Sequence, residues 1–414
     1  MESVEDIVIV GAGIAGLTTS LGLYRFKTKK LGIRSMVLES SESLRVTGFA
    51  FTVWTNAWKA LDAVGIGNSL RQQHQQLRSI VATPTISGKP SSERSLKVQG
   101  KYGEHEMRCV RRKLLLETLA KELPSGTIRY SSQVVSIEES GHFKLLHLAD
   151  GTILKTKVLI GCDGVNSIVA KWLGFKNPAF VGRSAIRGYS DFKGSHGFEP
   201  NFLQFFGKGL RSGFIPCDDQ TIYWFFTWTS SSQDKELEDH SAELKQFVLG
   251  KLHDLPAQVK AVIEKTPLDS IISSRLQYRQ PQEVLWGNIS RGSVCVAGDA
   301  LHPMTPDIGQ GGCAALEDGI VLARCINEAL KTKQGVGEED EEGFNKRVEM
   351  GLKRYAKERR WRCFELISIA YLVGSIQQSD GKILNFLRDK ILASFLVGLL
   401  LKKADFDCGN LTST

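Results

Sequence analysis

The apolar run Asp6-Ile7-Val8-Ile9-Val10 passes without a gap into Gly11-Ala12-Gly13-Ile14-Ala15-Gly16, and this join constrains the fold more than any other stretch of the chain. Ile14, Leu17, Leu21 and Tyr24 then recur at three- and four-residue spacing, the period of one helix face. A second apolar strand, Ser35-Met36-Val37-Leu38, ends at Glu39. Strand, G-x-G-x-x-G, helix, strand and acid in that order predict a dinucleotide-binding βαβ unit. Gly11 permits the tight turn, Gly13 lets a diphosphate approach the backbone, and Gly16 lets helix and sheet pack closely. Glu39 is placed to accept from adenosine ribose hydroxyls, which suits a nicotinamide dinucleotide and FAD equally.

Two more strands end in glycine–acid turns. Val158-Leu159-Ile160-Gly161 runs into Cys162-Asp163-Gly164-Val165-Asn166-Ser167. Val294-Cys295-Val296-Ala297 runs into Gly298-Asp299, then a loop with His302, Pro303 and Pro306, then a helix restarting through Gly309, Gln310, Gly311 and Gly312. A carboxylate at a strand end can hold sugar or diphosphate hydroxyls, and glycines at a helix start aim unpaired N–H groups at a ligand. Arg45 is either a diphosphate or substrate contact or a surface arginine. Arg111 and Arg112 open a helix carrying Leu115 and Leu119, where positive charge opposes the helix dipole. A phosphate beside one of them would remove that anomaly.

At 414 residues the chain is long enough for two domains. Its formal charge of +8 is scattered, in short clusters such as Lys27–Lys30, with no basic stripe interleaved with aromatics. That excludes nucleic acid as a partner and suits an anionic cofactor or small substrate. The eight cysteines form no CxxC or Cys/His cluster, so free thiols in a reducing compartment and no metal are expected. MESVED leads straight into a strand, leaving no room for a signal peptide, so a cytoplasmic protein is the expectation. Ile391–Leu401 is too short to span a bilayer and reads as a buried helix, with a membrane-surface or partner-binding helix the alternative. From about 175 to 285 the strands at 202–206, 213–216 and 221–226 predict an antiparallel sheet with a large aromatic face. That face is core under covering helices, the wall of a flat apolar pocket, or both. Phe202, Gln204, Phe214, Trp224 and Phe226 are the pocket candidates.

Taken together, GAGIAG with Glu39, CDGVNS and GDALHPMTPDIGQGG resemble the FAD-dependent aromatic hydroxylase family, the single-component flavoprotein monooxygenases. The nearest likeness is to plant monooxygenases similar to salicylate hydroxylase and zeaxanthin epoxidase. The resemblance spans Asp6 to Arg362. It implies an α/β fold with a Rossmann-like FAD-binding domain interleaved with an antiparallel-sheet substrate domain, plus C-terminal helices. The implied domains are 1–75, 100–174 and 286–340 for FAD, 76–99 and 175–285 for substrate, and 344–414 for the helices.

Residue by residue, the resemblance implies that Gly11, Gly13, Ile14, Ala15 and Gly16 wrap the FAD diphosphate and that Glu39 binds the ribose. It gives Arg112, with Arg111 its rival, the place of the family's arginine. It puts Asp163 and Gly164 in the DG pair and Asp299 on the ribityl or diphosphate portion. It sets Pro306 and Gly309–Gly312 beside the isoalloxazine ring. The family's DG motif continues SxVR, whereas here Ser167-Ile168-Val169-Ala170 lacks the arginine, which bears on NAD(P)H use.

The implied activity is NAD(P)H- and O₂-dependent hydroxylation of an aromatic acid or phenol. Epoxidation or oxidation of an isoprenoid or alkaloid-type molecule is an alternative, and a non-catalytic flavin-binding regulatory protein is another. No general base is assigned. His302 is a weak candidate, its loop position suiting a structural role better. A monomer or homodimer is expected.

Overall fold

The computed structural model describes residues 4–26, 34–45, 48–85, 92–207, 209–230, 240–331, 341–377 and 393–411. The lysine cluster at 27–30 and most of the charged stretch 331–343 lie outside them, as do the first two residues of the apolar segment at 391.

The chain's apolar strands sort into two large sheets. In the first, Val4–Val10 lies between Ser35–Leu38 and Ile153–Gly161, parallel to both. The last residues of Ile153–Gly161 pair in parallel with Val294–Val296, while its earlier residues pair antiparallel with Phe143–Leu148. Strands buried on both sides read as unbroken Val, Ile and Leu runs, and Ile7, Val8, Ile9, Val158, Leu159 and Ile160 are all buried. Helix Ile14–Arg25 packs on helix Gly311–Lys331 through glycines. A Cβ on Gly22 would come 2.7 Å from that of Ala323, and one on Gly319 equally close to Thr18. The 37-residue helix Glu341–Gln377 packs along Gly311–Lys331.

The second sheet runs Ile271–Tyr278, Ala179–Asp191, Thr221–Thr229, Leu210–Pro216, Asn201–Gly207, Ser79–Pro84, Ser92–Ser95. It is antiparallel except that Asn201–Gly207 lies parallel to Ser79–Pro84. The polar segment at 79–100 thus supplies two strands where its sequence showed only a short apolar run, because pairing with an aromatic neighbour outweighs weak local propensity. Helices Ser241–Lys251 and Ala257–Lys265 cover one face of this sheet and close a separate core of Ile186, Phe205, Phe214, Trp224, Phe226 and Trp228 with Val248, Val259 and Ile263. At the C-terminal end, Ala393–Ala404 is a helix with Leu400, Leu401 and Ala404 buried. No described helix is long and apolar enough to cross a membrane.

Candidate active site

Leu38 pairs with Val10, Val10 with Gly161, and Gly161 with Val296, all in parallel register. The residues that follow each strand therefore emerge along one edge of the sheet, where parallel α/β sheets hold ligands. Glu39, the Gly11–Gly16 turn, Asp163 and Asp299, distant in sequence, are brought together by this one row. A cavity of about 260 Å³ opens there, lined by Gly11, Gly13, Glu39, Arg45, Arg112, Asp163 and Gly164 among others.

Its floor is built from backbone. Gly11 has φ 103°, and a Cβ there would lie 2.4 Å from the Cys162 carbonyl oxygen. A Cβ on Gly16 would lie 2.0 Å from the Gly11 oxygen, whereas one on Gly13 would meet nothing within 4 Å. Helix Ile14–Arg25 starts from Gly13 with no side-chain cap, leaving its first N–H groups for a ligand. Ile14 and Ala15 are buried, and a Cβ on Gly298 would come 2.8 Å from that of Ala15, so the first and third turns touch. The Glu39 carboxylate is oriented by accepting from the Ala12 and Ser41 N–H groups, each at 3.0 Å.

The arginines divide. Arg112 lines the cavity, and its buried Nε has no partner. Burial pushes its pKa down, Asp299 opposes this, and Arg187 and Arg45 push it further down. Arg45 lies exposed at the rim, donating to the Ser40 and Ser41 hydroxyls. Arg111 turns away toward Asp218 at 3.8 Å. Asp163 accepts from the Ser167 hydroxyl at 2.5 Å and the Ile168 N–H at 2.7 Å, and Ser167 caps the following helix through the Ala170 N–H. Ala170 is buried, and this turn is closed without an arginine there. Asp299 is exposed although Gly298 and Ala300 on either side are buried.

A second, smaller cavity of about 90 Å³ lies between the aromatic sheet and the Pro306–Gly309 loop. Phe202 and Gln204 line it with Ile215, Tyr223, Phe225, Arg187 and Arg211. Phe214, Trp224 and Phe226 stand on the opposite face instead, packed into the helix-covered core, with the Trp224 indole N–H donating to Thr266 at 2.9 Å. Strand side chains alternate, so 223 and 225 point to the cavity when 224 and 226 point away. Gly309, at φ 62°, brings the loop against Thr52 and Trp54: a Cβ there would lie 2.4 Å from Thr52 Oγ1. Gly312 lies under the Phe51 ring and Gly311 beside Met304. Gln310 is fully buried and accepts from Asn56 at 2.8 Å.

Residues 5–338 match the family described as "FAD binding domain". The chain is 58% identical to Monooxygenase 2 of Arabidopsis thaliana over 412 residues, 99% of each. It is 35% identical to Monooxygenase 1 of the same plant, covering 98% of this chain and 99% of that one. Among solved structures, Klebsiella pneumoniae HpxO complexed with FAD and uric acid superposes with TM-score 0.81 at 22% identity, covering 97% of this chain and 96% of that one. The chain belongs to the FAD-dependent aromatic hydroxylase family.

The protein is thus an FAD-dependent monooxygenase of the aromatic hydroxylase type, and its fold is that of such enzymes. The Gly298–Asp299 turn rests on a buried charge network that motif reading missed. Asp318 accepts from the Gly298 N–H at 2.7 Å and bonds His302 Nε2 at 2.6 Å. Arg359 donates to Asp318 at 2.6 Å and to Glu317 at 2.7 Å, and Arg362 and Asn56 donate to Glu317 at 2.8 and 2.6 Å. Tyr355 donates to the Val296 carbonyl at 3.1 Å. Buried charges persist only when paired and hydrogen-bonded, and here each is. His302 is fully buried inside this network and lines neither cavity. The available signal was Tyr355, Arg359 and Arg362 one turn apart on a long helix.

The small cavity has a second charged wall. Asp307 receives Arg183 at 2.9 Å and Arg211 at 3.3 Å, all three buried. Burial pushes Arg211 down to about 10, with Asp307 opposing and Arg183 reinforcing the shift. Arg187 donates to the Ser274 hydroxyl at 2.7 Å. Burial pushes the neighbouring Tyr223 up to about 12, Arg187 opposing.

Proposed function

We propose that this monooxygenase hydroxylates an anionic aromatic molecule, an aromatic acid or a phenol, with NAD(P)H as reductant and O₂ as oxidant. The observation that carries this reading is the pair Arg187 and Arg211 in the wall of a cavity otherwise lined largely by aromatic and aliphatic side chains. Asp307 is the one carboxylate among the residues lining it, and it already serves Arg183 and Arg211. A flat anion stacking on Phe202 and Phe225 would supply the missing negative charge, and a carboxylate matches a guanidinium fork bidentately.

The cleft fits FAD on its own chemistry. A bare glycine floor at Gly13, an unpartnered buried Nε on Arg112, and a carboxylate already oriented at Glu39 ask for a ligand with phosphates and a ribose. Gly11, Gly13 and Arg112 would hold the diphosphate, Glu39 the adenosine ribose, and Asp299 the ribityl side. Gly309 to Gly312, with Pro306, would border the ring. When bound, FAD supplies electron transfer from NAD(P)H and activation of O₂, so that one oxygen atom reaches the substrate and the other leaves as water. The chain's own residues do the rest. Arg187 and Arg211 orient the anion, the aromatic walls exclude water, and the Trp54 indole N–H, buried beside Gly309 without a partner, offers one more donor. The Arg359–Asp318–Gly298 chain keeps the Asp299 turn in place.

The test is a panel of aromatic acids, phenols and terpenoids scored by stimulated NAD(P)H oxidation, with hydrogen peroxide measured alongside. Coupled turnover with an aromatic acid or phenol is expected. Stimulation by a terpenoid and by no aromatic anion would overturn the assignment.

A further inference from the structure

We propose that Cys109 and Cys217 are an oxidisable thiol pair, able to form a reversible disulfide that ties the flavin-binding part of the chain to the substrate sheet. Their sulfurs are 3.4 Å apart although the residues are separated by 108 positions, and both side chains are fully buried. Among the described residues this is the sulfur–sulfur pair within hydrogen-bond reach. A disulfide bond is about 2.05 Å long, so the sulfurs need to close by roughly 1.4 Å. Cys109 sits on the strand Arg108–Arg111, opposite Thr52. Cys217 follows the strand Leu210–Pro216, two residues beyond Ile215. Thr52 and Ile215 both line the small cavity, as does Tyr223, whose ionisation both thiols influence. Closing the sulfurs therefore acts on the wall of the proposed substrate pocket from behind.

With hydrogen peroxide as oxidant, one cysteine gives up its proton and attacks a peroxide oxygen as the thiolate; the O–O bond breaks, a sulfenic acid forms, and the departing hydroxide takes up that proton to leave as water. The second sulfur displaces the sulfenic hydroxyl, which leaves as water with the remaining proton. Two thiols and one peroxide thus give one disulfide and two waters. Burial pushes the Cys109 thiol well up, with Cys217 beside it reinforcing the shift, so the reaction is slow at neutral pH and quickens as pH rises. The site does not depend on which substrate the enzyme takes.

The experiment treats the FAD-loaded full chain with hydrogen peroxide, blocks free thiols, and reads intact mass, tryptic peptides and Tm. Expected are a mass loss of about 2 Da and a peptide pair joining Cys109–Arg111 to the fragment that begins at Ser212. Tm should rise by roughly 2–6 °C, because a long loop is closed in the unfolded chain. Dithiothreitol should reverse all three. Cys217→Ser and Cys109→Ser should each remove the link and the Tm rise while keeping the flavin colour. Peptide mapping of the unmutated chain decides the matter even if a variant fails to fold. Over-oxidation of either sulfur without the linked pair, or a 2 Da loss that survives in Cys217→Ser, would overturn the site.

Discussion

Arg359 and Asp318 are 41 residues apart in the chain, yet the guanidinium Nε lies 2.6 Å from a carboxylate oxygen and both side chains are fully buried. The other oxygen of Asp318 receives the Gly298 N–H. A long helix outside the first sheet therefore holds the turn that carries Asp299.

Replacing Arg359 with methionine should leave Glu317 and Asp318 with too little positive charge in a dry interior. A loss of about 3–5 kcal/mol is expected, read as a lower urea midpoint. Weakened FAD retention should accompany it, since the Gly298 turn loses its anchor.

The same network sets an acid limit. Burial alone would raise the Glu317 carboxyl, but Arg362 and Arg359 outweigh it and bring it down to about 2. Asp318 is likewise lowered, with His302 and Arg359 overcoming its burial. Both folded values lie below the unfolded ones of about 4.3 and 3.9. Their stabilisation is therefore complete above about pH 5 and is lost as pH falls toward 2. Tm measured against pH should drop steeply over that window. In Arg359→Met the drop should begin at higher pH.

Gly13→Ala and Gly16→Ala should separate binding from folding. A methyl at 13 projects into open cavity, so the variant should fold with unchanged Tm and bind FAD more weakly by tenfold or more, about 1.4 kcal/mol. A methyl at 16 would meet the Gly11 oxygen at 2.0 Å, so that variant should lose stability or fail to accumulate. Flavin titration and thermal melts on the two proteins read the difference.

Arg187→Met tests the anion reading. KM for a carboxylated aromatic should rise by about 10- to 100-fold, the worth of a charged hydrogen bond, with FAD content unchanged. An equal rise for an uncharged analogue would speak against an anionic contact.

Neighbouring aromatics should behave oppositely. Phe226→Ala, on the helix-covered face, should cost about 3–5 kcal/mol of stability with little change in KM. Phe225→Ala, on the cavity face, should alter KM more than Tm. Matching KM effects would contradict the strand parity seen here.

Much of this site was legible in sequence because its parts are local. A glycine at φ 103° or an acid after an apolar strand marks a turn by itself, and the shared register row then gathers Glu39, Gly11, Asp163 and Asp299. Phe202 and Gln204 were legible as cavity lining, but Phe214, Trp224 and Phe226 were not separable from Tyr223 and Phe225. Both parities are aromatic, so hydrophobic alternation carries no sign of which face meets helices.

The chain's order of residues by itself determined the βαβ start, the two glycine–acid turns and the flavoenzyme family, since each depends on backbone freedom within a few residues. Only the folded molecule decided which aromatics face the cavity, that Arg112 and not Arg111 enters the cleft, and that Arg359 and Arg362 neutralise Glu317 and Asp318. Those outcomes depend on burial and on charges meeting across distant segments, and neither is a property of any single stretch.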